Sequence, residues 1–174
     1  KLIEYHTLNG GLSRFVKIRY FYEELLNEKI SDEKVEFLAN KFSKIMKKEL
    51  IKKEYLIDET VEFIKKKSKQ YNLHIASGSE HNELNFLCDR LGLKKYFLTI
   101  NGSPTKKNDI VKDIMEDNNY FQNATILIGD SINDYEAASI NGIDFYGFNN
   151  SQLIKYSKVY INKFEQLKIW KTSL

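Results

Sequence analysis

Several residue types that constrain a fold are scarce in this 174-residue chain, which has one cysteine, Cys88, one proline, Pro104, and eight glycines. A single cysteine excludes an internal disulfide and is typical of a reducing compartment, so we expect a cytoplasmic protein. No apolar run approaches the roughly 18–20 residues that cross a bilayer, and we expect no membrane partner. The first residues do not show the pattern of a secretory signal. Few prolines and glycines leave no stretch typical of a flexible linker.

A strong excess of one charge is also lacking. The formal net charge is +3, and the content of 42% hydrophobic and 29% charged residues is typical of globular proteins. Lysines cluster at 47–48, 52–53 and 65–67, where they alternate with glutamates. We interpret them as solvated helix faces and expect no nucleic acid partner. Nothing in the sequence indicates the oligomeric state.

The N-terminal third of the chain shows apolar residues only at helical spacing. Residues 1–54 are therefore predicted to form an all-helical N-terminal domain, with Ser31 or Asp32 beginning its second helix. The expected apolar face of that helix consists of Val35, Leu38, Phe42 and Ile45.

From residue 55 onward, predicted strands alternate with predicted helices. The expected strands are residues 73–77, 96–100, 125–129, 144–148 and 159–161. Such alternation is typical of βαβ units, whose right-handed crossovers place helices on both faces of a parallel sheet. We predict an α/β fold with a doubly wound, three-layer core at residues 55–174.

The most informative stretch is residues 125–134, where an apolar run ends at Gly129 and two carboxylates follow, Asp130 and Asp134. The run predicts a buried parallel strand, and Ser131 can cap the next helix with Asp134 in its first turn. Ligands bind at this edge of an open α/β sheet, and two carboxylates there suit Mg²⁺. The same residues would also suit an ordinary strand-to-helix turn with acidic caps.

Two further sets of polar residues are predicted at the same edge of the sheet, one at the end of a strand and one at the start of a helix. Ser77 with Gly78 ends a strand, where a hydroxyl beside exposed N–H groups can hold a phosphate. Ser77 can equally be a helix N-cap. Lys106 and Lys107 open a helix, where cations are disfavoured without an anion nearby, although a solvated surface pair is the alternative. Together these residues describe a site for a phosphate and a divalent cation.

In this arrangement the chain resembles the haloacid dehalogenase-like hydrolase superfamily. The resemblance implies that Ser77 binds the transferring phosphoryl group and that Lys107, with Lys106 as the alternative, neutralises its charge. The sequence Gly-Asp-Ser-Ile-Asn-Asp at residues 129–134 resembles the family's Mg²⁺-binding motif, which implies Asp130 and Asp134 as metal residues. The fold implied is a Rossmann-like core with a helical cap.

The segment around residues 6–17 resembles the cap segment that faces the active site in phosphoglycolate-phosphatase-like members. The resemblance implies a small phosphorylated metabolite as partner, with Ser13, Arg14 and Lys17 contacting it together with Gly78. Arg14 and Lys17 lie one helical turn apart and can bind an anionic group. A helix that begins with an exposed basic residue, and that binds no substrate, would show the same sequence pattern.

The family's first motif, an apolar strand that ends in Asp-x-Asp, has no counterpart in this sequence. In the family that strand is central to the sheet and its first Asp is the nucleophile. We therefore expect a Mg²⁺-dependent phosphatase that is inactive or impaired as the chain stands, with the neighbours of the central strand left unpaired.

The residues named above are also compatible with other functions. A non-catalytic phosphate- or metal-binding module, or a fragment completed by another chain, would also lack the nucleophile. A phosphomutase would share every residue named above. A metal-free dehalogenase would not need the acidic pair, and a receiver-like domain would leave the helical N-terminal third unexplained.

Overall fold

The computed structural model describes residues 1–167 and 169. The last residues of the predicted core domain, 168 and 170–174, lie outside the described residues. Within the described part, parallel strands alternate with helices from residue 58 onward, and only helices precede them. The predicted α/β class with an N-terminal helical segment is confirmed.

The N-terminal segment contains three α-helices, α1 (Leu2–Leu8), α2 (Arg14–Tyr20) and α3 (Asp32–Glu49), and a π-helical turn follows α2 at Phe21–Leu25. Ser31 caps α3, because its hydroxyl accepts a hydrogen bond from the Lys34 N–H at 3.3 Å. A short 3₁₀ turn at Lys53–Tyr55 leads out of the segment.

The buried face of α3 differs from the predicted one. Val35 is buried as expected, but its buried companions on α3 are Ala39 and Ser43, while Phe42 and Ile45 are 48% and 55% exposed. The helix is rotated because Ser43 turns inward to accept a hydrogen bond from Arg14. Small side chains on this face let α2 approach α3 closely.

The remaining elements alternate as predicted. The helices are α4 (Asp58–Lys67), α5 (His81–Arg90), α6 (Lys107–Asp117) and α7 (Ile132–Ile140). The strands are β1 (His74–Glu80), β2 (Thr99–Ser103), β3 (Ile126–Gly129), β4 (Asp144–Phe148) and β5 (Val159–Ile161). Short 3₁₀ turns occur at Lys94–Tyr96, Gln122–Ala124, Ser151–Tyr156 and Phe164–Gln166.

Two strand predictions need correction. The strand predicted at residues 96–100 begins only at Thr99 and continues through the Asn101–Gly102 pair that was expected to close it. Residues before it form a 3₁₀ turn, and Leu98 is 61% exposed, so within the apolar run only Ile100 is buried in the core. Likewise β1 runs past Gly78 to Glu80, with an irregular register between Ala76 and Glu80.

The strands form two parallel sheets, β2–β1 and β3–β4–β5. Phe145 packs in a cluster with α6 and α7, whereas the next residue, Tyr146, packs with Phe164 and Phe63 of α4. Successive strand residues point to opposite faces, so helices cover both faces of the second sheet. The predicted three-layer core is confirmed.

The described residues of β1 and β3 are not hydrogen-bonded to each other. Ala76 of β1 and Leu127 of β3 nevertheless pack against one cluster beneath α6 and α7, so one helical layer supports both sheets. Every residue of β1 and β3 is only half-buried, while the middle of β4 is buried. Strands at the centre of a doubly wound sheet are ordinarily its most buried. Among the described strands, β1 and β3 therefore each have one edge without a strand partner, and the absence of a central strand between them stays a prediction.

His74 lies half-buried at the start of β1 in a polar network. Its Nδ1 lies 2.8 Å from Thr99 Oγ1 and its Nε2 lies 3.0 Å from the Tyr120 hydroxyl. Burial lowers the pKa of His74 below its ordinary value, because desolvation disfavours the imidazolium. This residue joins β1, β2 and the segment after α6.

The depressed pKa of His74 makes the free energy of unfolding depend on pH. As pH falls through the ordinary histidine pKa of about 6.5, the unfolded state takes up a proton before the folded state does, so stability decreases. Urea unfolding on either side of this pH should show the decrease in the wild type and a smaller one in His74→Gln. Equal pH dependence of the two proteins would show that His74 does not carry the effect.

Candidate functional site

A cleft of about 1510 Å³ lies between the N-terminal helices and the carboxyl ends of β1 and β3. Its polar wall on the sheet side is formed by Ser77, Gly78, Ser79, Lys107, Asp130 and Ser131. Its opposite wall includes Arg14 and Lys17. The structure therefore brings predicted residues from four separate sequence segments to one cavity.

Ser77 lies within β1 and faces the cleft. Its Oγ accepts a hydrogen bond from the Ser79 N–H at 3.1 Å, which leaves the hydroxyl proton available for an anion. The alternative that Ser77 is a helix N-cap is wrong, because Glu80 caps α5 by accepting from the N–H groups of Asn82 and Glu83 at 2.9 and 2.8 Å. The helix begins three residues later than that alternative requires.

Gly78 is required by the close approach of the N-terminal segment. A Cβ atom on Gly78 would lie 2.3 Å from the Gly11 carbonyl oxygen, and one on Gly11 would lie 2.4 Å from Ser131 Oγ. The backbone at Gly11 thus passes between the ends of β1 and β3 at van der Waals distance from both. Sequence reasoning had no signal for this contact beyond the glycine pair itself.

Lys107 is the first residue of α6, and its ammonium donates to Asp134 Oδ1 in a short ion pair. The side chains of Lys107 and Asp134 are only 11% and 8% exposed. Lys106, the alternative, is the N-cap residue and is exposed. The structure therefore places Lys107, and not Lys106, in the cleft wall.

Asp134 has both carboxylate oxygens engaged. Its Oδ2 accepts hydrogen bonds from the N–H of Ser131 at 3.0 Å and from the Ser131 hydroxyl at 2.7 Å, and its Oδ1 accepts from Lys107. A Cβ on Gly129 would lie 2.2 Å from Asp134 Cγ, so glycine is needed for the carboxylate to fit. Asp134 thus orients the strand end, the helix start and Lys107 together.

Asp130 differs from Asp134 because its carboxylate is exposed at the end of β3. Its backbone carbonyl accepts from the Asn150 amide at 2.9 Å, which holds the turn, while no hydrogen bond or ion pair of the described residues involves its side chain. A free carboxylate facing the cleft, with a second one behind it, suits Mg²⁺, which keeps waters and phosphate as its other ligands. Asp130 therefore fits this ion, although no cluster of three acidic, histidine or cysteine side chains occurs in the described residues.

Arg14 is occupied by protein groups. Its guanidinium donates to both carboxylate oxygens of Glu83 at 2.7 Å and to Ser43 Oγ at 2.6 Å, with the Phe42 ring centroid 4.8 Å away. Glu83 is 2% exposed. A buried bidentate pair of this kind ties α2 and α3 to α5. Glu83 was missed, although a glutamate on the same helix stripe as Leu87 signals a buried partner.

The two other predicted residues of this segment have different surroundings. The Ser13 hydroxyl caps α2 through the Val16 N–H at 3.5 Å, and Ser13 is not among the described residues that line the cleft. The half-buried Lys17 lines the cleft, and its ammonium donates to the Gly10 carbonyl at 3.2 Å. Burial lowers the pKa of Lys17 below its usual value by desolvating the ammonium.

The Lys107–Asp134 pair should show strong coupling in the free energy of unfolding. Asp134→Ala leaves a buried ammonium without its partner and should cost about 3 kcal/mol, and the double variant Lys107→Met, Asp134→Ala should cost less than the sum of the single ones. Urea unfolding measures all three, with the exposed Lys106→Met as the matched control. Additive losses would show that the pair does not act as a unit.

Comparison with curated proteins gives no significant match. Among solved structures, the chain resembles a β-phosphoglucomutase from Clostridium difficile with a TM-score of 0.76 at 19% identity, covering 92% of this chain and 75% of that protein. A haloacid dehalogenase-like hydrolase from Streptococcus pneumoniae gives 0.69 at 17% identity, covering 89% and 74%. The HAD-hydrolase YfnB from Bacillus subtilis, described as bound to magnesium, gives 0.64 at 19% identity, covering 94% and 75%.

These likenesses show a shared fold, and the chain spans about three quarters of each of these proteins. No helix in the described part of the chain is long and apolar enough to cross a membrane. The sequence profile of the haloacid dehalogenase-like hydrolases matches residues 11–148, which is well over half of the chain. The chain therefore belongs to the haloacid dehalogenase-like hydrolase family.

Proposed function

We propose that the site belongs to a Mg²⁺-dependent phosphatase that acts on a small phosphorylated metabolite. The observation that carries this proposal is the meeting of Ser77, Lys107 and an unpaired Asp130 carboxylate in one cleft. A hydroxyl, an ammonium and a carboxylate that can hold a cation are the groups that bind and neutralise a phosphoryl group.

Each residue has a distinct role in this proposal. The Ser77 hydroxyl donates to a phosphate oxygen, and the backbone at Gly78 can approach the phosphate because glycine has no side chain. Lys107 lies against Asp134 and offers its remaining ammonium protons to the phosphate. Asp130 would hold Mg²⁺, which supplies charge neutralisation and orients the phosphate when bound. Asp134 is a positioning residue, because Lys107 and Ser131 occupy its oxygens.

The N-terminal helical segment is proposed to act as a cap domain, residues 1–54, over a core domain, residues 55–174. The cleft lies between these two parts, and the Arg14–Glu83 pair joins them. A cap in this position excludes water from the phosphate while the site is closed. The geometry favours Gly78 and Lys17 as substrate contacts over Ser13 and Arg14, since both of the latter serve the protein's own structure.

A second function is favoured by the unpaired edges of β1 and β3. In each of these half-buried strands, one edge carries backbone N–H and C=O groups that no described strand pairs with. A further strand could form hydrogen bonds with these groups. The chain would then be a phosphate- and metal-binding module whose chemistry depends on another segment, because the sequence contains no Asp-x-Asp motif to supply the family's nucleophile. A phosphomutase would use the same binding residues and remains an alternative for the completed site.

Turnover of p-nitrophenyl phosphate in MgCl₂ separates these functions. The 174-residue chain alone should hydrolyse little or none of it, because its sequence contains no Asp-x-Asp motif to supply the attacking carboxylate. A fusion that places an apolar strand ending in Asp-x-Asp before Lys1 should gain Mg²⁺-dependent turnover of at least about a hundredfold. Lys41→Gln in the fusion is the matched control, since Lys41 is an exposed lysine of α3.

The activity of the fusion tests the phosphatase proposal, and the activity of the chain alone tests whether a nucleophile is already present. Asp130→Asn should abolish the gain in the fusion. A fusion that is folded but inactive would overturn the phosphatase proposal in favour of the binding module. Robust turnover by the unfused chain that depends on Asp130 would show that its nucleophile lies among residues already present.

A further inference from the structure

Four lysine or arginine side chains line the cleft in its described part, those of Arg14, Lys17, Lys107 and Lys155, and two of them have a carboxylate partner. Lys107 pairs with Asp134, and Arg14 pairs with Glu83. Lys17 takes part in none of the described ion pairs, and its ammonium donates only to the neutral carbonyl of Gly10. Lys155 also lacks an ion pair among the described residues, but it is exposed, and its ammonium lies 4.8 Å from the centroid of the Tyr156 ring. Lys17 is therefore the half-buried positive charge of the cleft wall that the described residues leave uncompensated.

Lys17 lies close to the phosphate site. The Gly10 carbonyl that it contacts belongs to the residue before Gly11, and Gly11 touches both Gly78 and Ser131. One Cα–Cα step, about 3.8 Å, separates Gly10 from Gly11, and Gly11 contacts the strand ends that carry Ser77 and Asp130. A small molecule with its phosphate at Ser77 can present a second group to Lys17.

Arg14 is poorly suited to that task, although its side chain is the more common choice for anions. Releasing its guanidinium would leave the carboxylate of Glu83, which is 2% exposed, buried without a cation. Breaking such a pair is strongly unfavourable. Arg14 is therefore a positioning residue that holds α2, and with it Lys17, against the core.

We propose that Lys17 is the specificity-determining residue of the site, and that it selects substrates carrying a second anionic group beside the phosphate. This inference rests on the proposed phosphate site at Ser77, Lys107 and Asp130. In the absence of substrate the ammonium is held by one neutral acceptor, which an incoming carboxylate or phosphate can replace. The partial burial that lowers the pKa of Lys17 also strengthens its attraction to an anion, because fewer waters compete.

Calorimetric titration in MgCl₂ with two non-hydrolysable probes tests the inference. Methylphosphonate carries one anionic group, and phosphonoacetate carries a carboxylate as well. The wild type should bind phosphonoacetate about five to ten times more tightly, and Lys17→Gln should lose most of this preference while its affinity for methylphosphonate stays unchanged. The exposed Lys41→Gln, which removes the same charge outside the cleft, should keep the preference.

Arg14→Lys separates positioning from recognition. This variant should have a lower melting temperature, because it loses the bidentate contact to Glu83, and should still prefer phosphonoacetate. If the preference disappears in Arg14→Lys but survives in Lys17→Gln, the assignment is overturned. It is also overturned if the wild type binds methylphosphonate but shows no preference, a result that leaves the phosphate site intact. Failure of the wild type to bind either probe would instead refute the proposed function, and this inference with it.

Discussion

The buried ion pair between Lys107 and Asp134 determines how the rest of the site is arranged. It joins the first turn of α6 to the first turn of α7, and the Ser131 hydrogen bonds extend it to the end of β3. A buried pair adds little net stability, because desolvation offsets the attraction, yet removing one partner is costly. Such a pair therefore specifies position more than it stabilises, and here it determines where Lys107 and Asp130 stand relative to each other.

The apolar core supports the same arrangement from below. Val111 and Met115 of α6 pack with Ala137 and Ala138 of α7 over Phe145 of β4. The two alanines let the helices approach closely enough for the ion pair to form at their N-terminal ends. On the other side of the cleft, Arg14 and Glu83 hold the N-terminal helices to α5. Two buried ion pairs thus define the two walls between which a substrate would lie.

Much of this arrangement could be predicted from local sequence. The apolar run that ends in Gly129 and Asp130 predicts the strand, the capped helix and the exposed carboxylate, because each depends on neighbours only a few residues away. The positions of Ser77 and Lys107 at one sheet edge follow from the rule that parallel strands align their carboxyl ends.

What sequence analysis missed depends on contacts between distant segments. Arg14 and Glu83 are 69 residues apart, so the local spacing of Arg14 and Lys17 could not show that a protein carboxylate pairs with the Arg14 guanidinium. The rotation of α3 follows from the same network through Ser43. The late start of β2 at Thr99 reflects an exposed Leu98, and no local pattern distinguishes an exposed apolar residue from a buried one.

Ser77, Lys107 and Asp130 are proposed to form one phosphate site that a magnesium ion completes. The most direct test is a titration of inorganic phosphate into the ¹⁵N-labelled chain, followed by backbone amide shifts with and without MgCl₂. Saturable shifts are expected at Gly78, Ser79 and Ser131, with tighter binding in MgCl₂ that Asp130→Asn removes. Saturable shifts elsewhere, no shifts at these amides, or the same affinity with and without magnesium would contradict the proposed site.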